Sequence, residues 1–589
     1  MTLMRGIADY RGAENQGGGR MSTNSIEIDE TRGRGALVWL YPFLIAFALL
    51  LVVLQSLPLV LPIGPMYWDV LVYYDAIGRI AQGQWPAIDF FAPVGPLEYF
   101  LAAFSNWLFP QAQPVLMTQW IWLPVTAPVM ALILWDVARG GRGKLAFWLL
   151  IPWMLFTLLP YNLVHFYPYP GTDAFGIYNR HGAHLNYLVA VTVLFVRGAI
   201  IQTVLLSVLV LALAFCKITA FLAAGPILLF GVVLGRIRIA TALTTALICV
   251  GVSGIAELTT GLVVPYVQDI VVLASQNTGA LLPRFLTAAS LHFNVFGAGG
   301  ALAMVLLIAA LSGNPAAGGR AGATRIARLI DADWFWVGLL LVCGLFYETQ
   351  NTGSQAFLMV WPALLAILMR LRDGYGRYRM VILVLIGFTV VPPVSTVLHK
   401  AARALAVSPG YVELDAPDLG PIGQVSAKDI FVERAQRMRG IYIAHRDAYD
   451  ALAETEALPS FLLFSDPDYQ YLLLKEMQAA AVAIKGLEVR SRRRFERVLN
   501  LDFANPFPYI LNKKGADHVA IGADPSRAVP ELDDRTRDAV AGTDLVLAPS
   551  CPVHHARKVL FEHYQSALTE HQRIELTPCF DAYILPVSN

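Results

Sequence analysis

The chain has 589 residues, of which 56% are hydrophobic and only 15% are charged, and its mean hydropathy is +0.55. This composition excludes an ordinary soluble globular protein and is typical of an integral membrane protein. The net charge of +1 gives no basis for a nucleic acid or other polyanionic partner.

The amino-terminal segment 1–35 is polar, rich in glycine and mixed in charge. It lacks the basic start and the small-residue cleavage site of a signal peptide, so we predict a disordered cytoplasmic tail. The composition changes again near residue 400. We therefore predict a transmembrane domain over 36–399 and a soluble domain over 400–589.

Apolar segments that can cross the bilayer as helices recur through the transmembrane domain, although several are shorter than the usual length of about 20 residues. About 11 are predicted: Ala36–Gly64, Val115–Trp135, Leu145–His165, Tyr187–Val196, Ile200–Phe215, Ile218–Leu234, Ala240–Val264, Phe293–Leu311, Trp334–Phe346, Gln355–Met369 and Met380–Leu398. The apolar run Pro96–Phe109 would be roughly 21 Å long as a helix, against a hydrocarbon core of about 30 Å. We predict that it is interfacial or re-entrant.

Basic residues are concentrated in alternate loops, which predicts the orientation. One set of loops carries Arg139, Arg142, Lys144, Arg197, Arg236, Arg238, Arg320, Arg325, Arg328, Arg370, Arg372, Arg377 and Arg379, and the other set only Arg79, Arg180, Lys217 and Arg284. The first set is predicted to be cytoplasmic, together with the amino terminus. With an odd number of spans, the loop Tyr67–Pro110 and the domain 400–589 both lie outside.

The carboxy-terminal domain alternates between strand-like and helix-like runs, which predicts an α/β fold with a largely parallel sheet. The predicted strands are Ser460–Ser465, His518–Gly522, Asp544–Ala548 and Ile574–Pro586, and the predicted helices are Tyr469–Ile484, Glu531–Val540 and His554–Glu570. No glycine-rich phosphate-binding loop is present. Cys551 and Cys579 can form a disulfide if this domain faces an oxidising compartment. The predicted fold is thus a polytopic α-helical membrane protein with an extracytoplasmic α/β domain.

The loop Tyr67–Pro110 is too polar to cross a bilayer and too apolar for a simple solvated loop, and it presents carboxylates at the membrane surface. An early Asp69, followed by GQWPAIDFFAPVGP from Gly83 to Pro96, resembles the first periplasmic loop of GT-C-type glycosyltransferases. The matching residues are Asp69, Tyr73, Gly83, Pro86, Asp89, Phe90, Phe91, Pro93, Gly95 and Pro96. The segments Tyr178–Arg180 (YNR) and Cys216–Phe221 (CKITAF) are also similar to segments of bacterial members.

This resemblance implies an enzyme that transfers a sugar from a polyprenyl-phosphate donor to a glycan, lipid or protein acceptor on the outer face, with inversion. A first-loop carboxylate would be the general base, and cations would stabilise the departing phosphate. The candidate catalytic residues are Asp69 and Asp89. The candidate substrate-binding residues are Arg79, Arg180, His181, His184, Lys217, Glu348, Gln350 and Asn351. Mg²⁺ or Mn²⁺ is compatible with the family, but a lone Asp69 does not require a metal.

Each of these residues also has a structural interpretation. Asp69 can be a helix cap, Asp89 can be part of a turn, and Lys217 can extend along a helix end to the membrane surface. A cation at that boundary is nevertheless costly, which favours a functional role. Two other functions stay open: a transporter or flippase of a lipid-linked glycan, and a non-catalytic protein of envelope assembly. The polar residues lie near the outer boundary and no repeat is visible, which favours the enzyme over the transporter.

Overall fold

The computed structural model describes residues 23–586, apart from 165–168, 277–280, 313–329, 351, 372–373 and 458–465. Four predictions lie outside the described residues: the first part of the disordered tail, the substrate-binding role of Asn351, the strand Ser460–Ser465, and the cytoplasmic positions of Arg320, Arg325, Arg328 and Arg372.

The membrane part is helical throughout. Its helices are α1 (Thr23–Gln55), α2 (Trp68–Ala81), α3 (Pro96–Leu108), α4 (Pro114–Trp120), α5 (Leu123–Arg139), α6 (Gly143–Leu158), α7 (Ile177–Phe195), α8 (Ala199–Cys216), α9 (Ile218–Val233), α10 (Ile239–Thr260), α11 (Val263–Gln276), α12 (Leu281–Leu291), α13 (Phe293–Leu311), α14 (Asp333–Glu348), α15 (Trp361–Arg370) and α16 (Arg379–Val407). Helix α1 begins at Thr23, within the segment 1–35 that was predicted to be a tail.

Every apolar segment predicted to span overlaps one of these helices or, for Val115–Trp135, the pair α4 and α5. Within the described ranges, five helices are long and apolar enough to cross a membrane, or six if α4 and α5, which meet at 42°, form one span. The other apolar helices are shorter, so the total of about 11 spans stays a prediction. The short helix α3 has 13 residues, and its Trp107 is 73% exposed. This length fits the predicted position at the membrane surface.

The carboxy-terminal domain contains a mixed sheet. Its helices are α17 (Asp429–Ala444), α18 (Arg446–Glu454), α19 (Pro467–Ser491), α20 (Phe507–Leu511), α21 (Asp534–Ala541) and α22 (His555–Tyr564), and its larger sheet consists of β4 (Arg497–Asn500), β5 (Lys514–Gly515), β6 (Leu545–Pro549), β7 (Gln572–Thr577) and β8 (Phe580–Ile584). The strand order is β5-β4-β6-β8-β7. Strand β4 runs parallel to β5 and β6, whereas β8 is antiparallel to both β6 and β7.

The prediction of a largely parallel sheet is therefore wrong. The predicted strand Ile574–Pro586 is a hairpin, and a short hairpin connection can join only antiparallel strands. His518–Gly522 is also not a strand, because it contributes only a single bridge from Ala520 to Phe91. The three predicted helices overlap α19, α21 and α22, and Asp544–Ala548 overlaps β6. The predicted disulfide between Cys551 and Cys579 is present.

The first loop and the carboxy-terminal domain share structure. Strand β1 (Leu61–Pro62), directly after α1, pairs with β3 (Val425–Ala427), which also pairs with β2 (Val412–Glu413). Backbone hydrogen bonds also join Phe91 to Val519 and Ile521. The loop and the domain therefore lie at the same end of the helices, as the predicted odd number of spans requires.

Several loops that were predicted to be cytoplasmic contact one another, away from the first loop and the carboxy-terminal domain. Arg142 donates to the Phe195 carbonyl at 2.8 Å, which connects the turn between α5 and α6 to the end of α7. Arg236, after α9, forms an ion pair at 2.7 Å with Asp331, before α14. These contacts place several of the predicted cytoplasmic loops beside one another.

Candidate functional site

A cavity of about 590 Å³ lies where the first loop, the helices and the carboxy-terminal domain meet. One part of its wall is polar and includes Asp69, Tyr178, Asn179, Lys217, Asp269, Arg284, Thr349, Gln350, Asp524 and Arg527. Another part is apolar and includes Leu222, Ile270, Leu273 and Leu281. The cavity can therefore receive a ligand with a charged group and a hydrocarbon chain.

Asp69 lies in the first turn of α2 and lines this cavity. Its Oδ2 accepts a hydrogen bond of 2.8 Å from the backbone N–H of Gly176, the residue before α7. Gly176 has φ +60°, a left-handed conformation that suits glycine. Burial raises the pKa of Asp69 to about 6, while the Gly176 N–H and the charges of Arg527 and Arg180 limit the rise. Asp69 is thus an ionisable group held at a fixed position in the cavity wall.

Lys217 also lines the cavity, at the single extended residue that separates α8 from α9. Its Nζ donates to Asn179 Oδ1 and lies 4.6 Å from the centre of the Tyr178 ring. The break between the two apolar helices therefore serves to place an ammonium group in the cavity. The structure brings Asp69 and Lys217 together, although 148 positions separate them in the printed numbering.

The candidate substrate-binding residue Gln350 lines the cavity together with Thr349. The Gln350 carbonyl accepts from Asn179 Nδ2 at 2.7 Å, which fixes this segment beside α7. Glu348 lies behind it and holds the loop, accepting from the N–H groups of Ser354 at 3.0 Å and Ala356 at 2.9 Å. Glu348 is thus a loop-holding residue and does not line the cavity.

The other first-loop candidates lie outside the cavity. Asp89 accepts from the backbone N–H of Trp85 at 2.7 Å, which is the turn role considered from the sequence. Arg79 is completely buried, pairs with Asp75 at 2.7 Å and donates to the Ala516 carbonyl at 2.7 Å. Arg79 therefore joins α2 to the carboxy-terminal domain.

Three candidate substrate-binding residues on α7 are buried behind the cavity wall. His184 Nε2 lies 3.2 Å from Gln355 Oε1, and His181 Nδ1 lies 2.5 Å from Glu98 Oε1. Arg180 donates to the Asp173 carbonyl at 2.8 Å, and its Nε and Nη1 have no partner among the described residues. None of the three belongs to the cavity wall, but Arg180 contributes a positive charge near Asp69.

Glu98, which the sequence did not single out, is the centre of the buried polar contacts behind the cavity. It is fully buried and accepts from the Tyr73 hydroxyl at 2.7 Å and the Trp122 indole at 2.6 Å, in addition to its contact with His181. The Cys216 thiol donates to it at 3.3 Å. Because Tyr73 lines the cavity and Lys217 follows Cys216, Glu98 positions two parts of the wall.

Four charged cavity residues were missed from the sequence: Asp269, Arg284, Asp524 and Arg527. Arg527 Nε donates to Asp524 Oδ2 at 2.7 Å, so these two form a local pair in the carboxy-terminal domain. Asp269 and Arg284 belong to α11 and α12, in a segment read as a loop. The spacing of Tyr266, Asp269, Ile270 and Leu273 is that of one helix face, and this pattern could have predicted that Asp269 lies on a helix rather than in a loop.

A divalent metal needs several oxygen ligands that converge on one point. Among the described residues no group of three or more His, Cys, Asp or Glu side chains comes together in a way that could hold an ion. Asp69 shares the cavity wall with Asp269 and Asp524 and also with the cations Lys217 and Arg527. We therefore assign no step to Mg²⁺ or Mn²⁺.

The sequence matches no protein-family model and gives no significant match to a curated protein. Among solved structures, the chain is similar to ArnT from Cupriavidus metallidurans bound to undecaprenyl phosphate, with 12% identity and a TM-score of 0.38 over 92% of this chain and 98% of that chain. The apo structure of the same protein gives 11% identity and a TM-score of 0.37 with the same coverage.

Proposed function

We propose that this protein is a membrane glycosyltransferase that transfers a sugar from a polyprenyl-phosphate donor to an acceptor hydroxyl on the extracytoplasmic face. One observation carries the proposal: a single cavity at the end of the helices combines a carboxylate, Asp69, with the cations Lys217 and Arg527 and an apolar wall. A polyprenyl phosphate has the matching parts, which are an anionic phosphate and a hydrocarbon chain.

The chemistry follows from the charges. Asp69 takes the proton from the acceptor hydroxyl while the oxygen of that hydroxyl attacks the anomeric carbon of the sugar. The bond from that carbon to the phosphate oxygen breaks, and its electron pair leaves with the lipid phosphate, which gains one negative charge. A single displacement of this kind inverts the configuration at the anomeric carbon. With a pKa of about 6, Asp69 is mostly ionised at pH 7.5 and can accept the proton.

Lys217 and Arg527 supply the complementary part of the reaction. Burial lowers the pKa of Lys217 to about 7, and a bound phosphate favours its ammonium form. The positive charges of Lys217 and Arg527 then stabilise the charge that develops on the leaving phosphate, and charge-assisted contacts of this kind are stronger in a cavity than in water. The apolar residues Leu222 and Ile270 would contact the first isoprene units of the lipid. The donor would thus be held by its phosphate and its chain, with the sugar next to Asp69.

The disulfide between Cys551 and Cys579 supports the outer location of the site, because such bonds persist in oxidising compartments. The carboxy-terminal domain that carries it also contributes Arg527 to the cavity. In a bacterial inner membrane this compartment is the periplasm, and the lipid-linked sugar would be used there.

The test compares strains that carry Asp69→Asn or Asp89→Asn, with wild-type protein levels checked in each. Asparagine can still accept the Gly176 hydrogen bond at position 69, so the change removes the base and keeps the shape. We expect Asp69→Asn to lower transfer by about 10²- to 10⁴-fold, the usual contribution of a general base. Asp89→Asn should leave transfer within a few-fold of wild type. Mass spectrometry of envelope glycans measures both.

Two outcomes would contradict the proposal. An unchanged envelope glycan profile in the Asp69→Asn strain would remove the catalytic role. A lipid-linked glycan trapped on the cytoplasmic side would instead support a flippase, and protease or lectin accessibility of that lipid in spheroplasts distinguishes the two.

A further inference from the structure

Helix α11 has two different faces. One face lines the cavity with Tyr266, Asp269, Ile270 and Leu273, at the spacing of one helix side. Away from the cavity, Val267 is 50% and Val271 is 62% exposed. The helix thus separates the cavity from its surroundings.

The same helix is attached to both of the units that form the cavity. The Tyr266 hydroxyl donates to the Ala214 carbonyl of α8 at 2.7 Å, and the ring stacks on Phe215. At the other end of α11, Gln276 donates to the Val529 carbonyl of the carboxy-terminal domain at 2.8 Å. These contacts hold the intervening Asp269 at a defined place in the wall.

The buried carboxylate of Asp269 has few hydrogen-bond partners among the described residues. Its carboxylate accepts a hydrogen bond from the backbone N–H of Ala92, in the first loop. Its Oδ2 is buried and has no hydrogen-bond partner among the described residues, and no ion pair reaches it within them. Burial raises the pKa of Asp269 to about 7, and the Ala92 N–H limits this rise. A buried carboxylate oxygen without a partner costs free energy, which a ligand that donates a hydrogen bond would recover.

We propose that Asp269 binds a sugar hydroxyl in the cavity and that, with the Tyr266 ring beside it, it forms a sugar subsite separate from the phosphate-binding cations. This proposal rests on the proposed function. Oδ2 supplies the acceptor that hydroxyl groups need, and the fixed aromatic ring offers an apolar surface to the C–H face of a sugar ring. The hydroxyl can belong to the donor sugar or to a glycan acceptor, since both offer the same chemistry.

The first experiment uses the full-length chain with Asp269→Asn, Asp269→Ala and, as a matched control, Gln268→Ala on the exposed side of the same helix. The readout is the envelope glycan that is lost in the Asp69→Asn strain. We expect both Asp269 variants to lower that glycan at least tenfold and the control to leave it unchanged. If Asp69→Asn removes no glycan, the proposed function fails first, and this outcome is separate from a failure at Asp269.

The second experiment measures binding of undecaprenyl phosphate, which has no sugar, to the purified proteins. The Asp269 variants should bind it as tightly as the wild type, because the subsite does not contact the phosphate. Wild-type amounts of glycan in both Asp269 variants would overturn the proposal. A loss of undecaprenyl phosphate binding as large as the loss of glycan would also overturn it. A marked fall in Tm for both variants would also overturn it, because the carboxylate would then be structural.

A third measurement identifies the source of the hydroxyl. The lipid fraction that accumulates in Asp69→Asn cells serves as the probe, in competition with undecaprenyl phosphate. If Asp269 contacts the donor sugar, the preference of the wild type for this fraction disappears in Asp269→Asn. If it contacts the acceptor, the preference remains and only transfer is lost. A preference and a transfer rate that both remain would reject the subsite.

Discussion

Asp69 Oδ2 accepts the backbone N–H of Gly176 at 2.8 Å, which joins the first turn of α2 to the start of α7. Because the following helix carries Tyr178 and Asn179, this one bond sets the position of the base relative to the partners of Lys217. The carboxylate is therefore both an orienting group and the proposed base. The two roles can be separated by pH and by an isosteric substitution.

Transfer should depend on pH through Asp69. The pKa of this group is raised to about 6, mainly by burial, so the ionised base is lost as the pH falls through that value. We expect kcat/KM to fall about tenfold per pH unit below about pH 6. It should also fall as the pH rises above about 7, because burial lowers the pKa of Lys217 to about 7 and its ammonium form is then lost. Initial rates measured with purified protein between pH 4.5 and 8 check this. A profile unchanged across pH 6 would exclude Asp69 as the base.

The stability of Asp69→Asn provides a control with a defined sign. Since the folded-state pKa lies above the ordinary value near 3.8, the charged form costs stability above that value, and the cost is complete above about pH 6. At pH 7.5 the asparagine variant should therefore be at least as stable as the wild type. Thermal unfolding at that pH measures it, and a large fall in Tm would show that its inactivity reflects unfolding.

Removing the charge of Lys217 should weaken binding of the lipid phosphate. A hydrogen bond to a charged group contributes about 1.5–3 kcal/mol, so Lys217→Met should raise the Kd for undecaprenyl phosphate about 10- to 100-fold. Lys217→Arg keeps the charge and should lose less. Lys485→Met removes an outer surface cation whose partner is Asp418 and serves as the matched control. Equal affinities for the two methionine variants would contradict the assignment.

Glu98 should be required for the shape of the cavity wall. Glu98→Gln keeps the volume but removes the charge that accepts from Tyr73, Trp122 and Cys216 and contacts His181. We expect a loss of about 3–5 kcal/mol, typical of a broken buried ionic contact. Ser105 lies on the same helix as Glu98 and donates one hydrogen bond to Gln55 of α1. Ser105→Ala should therefore cost only about 1 kcal/mol. Similar unfolding temperatures for both variants would show that Glu98 is not a central contact.

The docking of the first loop on the carboxy-terminal domain should be sensitive to Gly515. The Gly515 N–H donates to Gln84 Oε1 at 2.9 Å, and the Gly515 carbonyl accepts from Gln84 Nε2 at 3.0 Å. A methyl group added at Gly515 would lie 2.2 Å from Arg79 Cζ. Gly515→Ala should therefore cost about 1–3 kcal/mol by overpacking and increase proteolysis of this interface. Gly440→Ala, at a helical glycine with no atoms near the added methyl, is the control. Equal proteolysis would mean that the interface adapts.

The amino-acid sequence by itself determined the helical membrane class and the places of the apolar helices, and it led to the prediction of an interfacial α3 and to the choice of Asp69 and Lys217 as candidate site residues. These are local properties, since hydropathy, helix length and the cost of a charge at a membrane boundary can be read along a single segment. The resemblance of the first loop added the chemistry expected there.

Only the tertiary structure decided which groups share the cavity. In the structure Arg527, Asp524 and Asp269 line the same cavity as Asp69. Arg79 and Asp89 lie outside this cavity and make structural contacts. The sheet is mixed, whereas the sequence predicted a largely parallel one. Contacts between segments that are hundreds of residues apart leave no periodic signal in either segment. Their formation depends on the packing of the whole chain, which is why the composition of the site could not be derived from its separate parts.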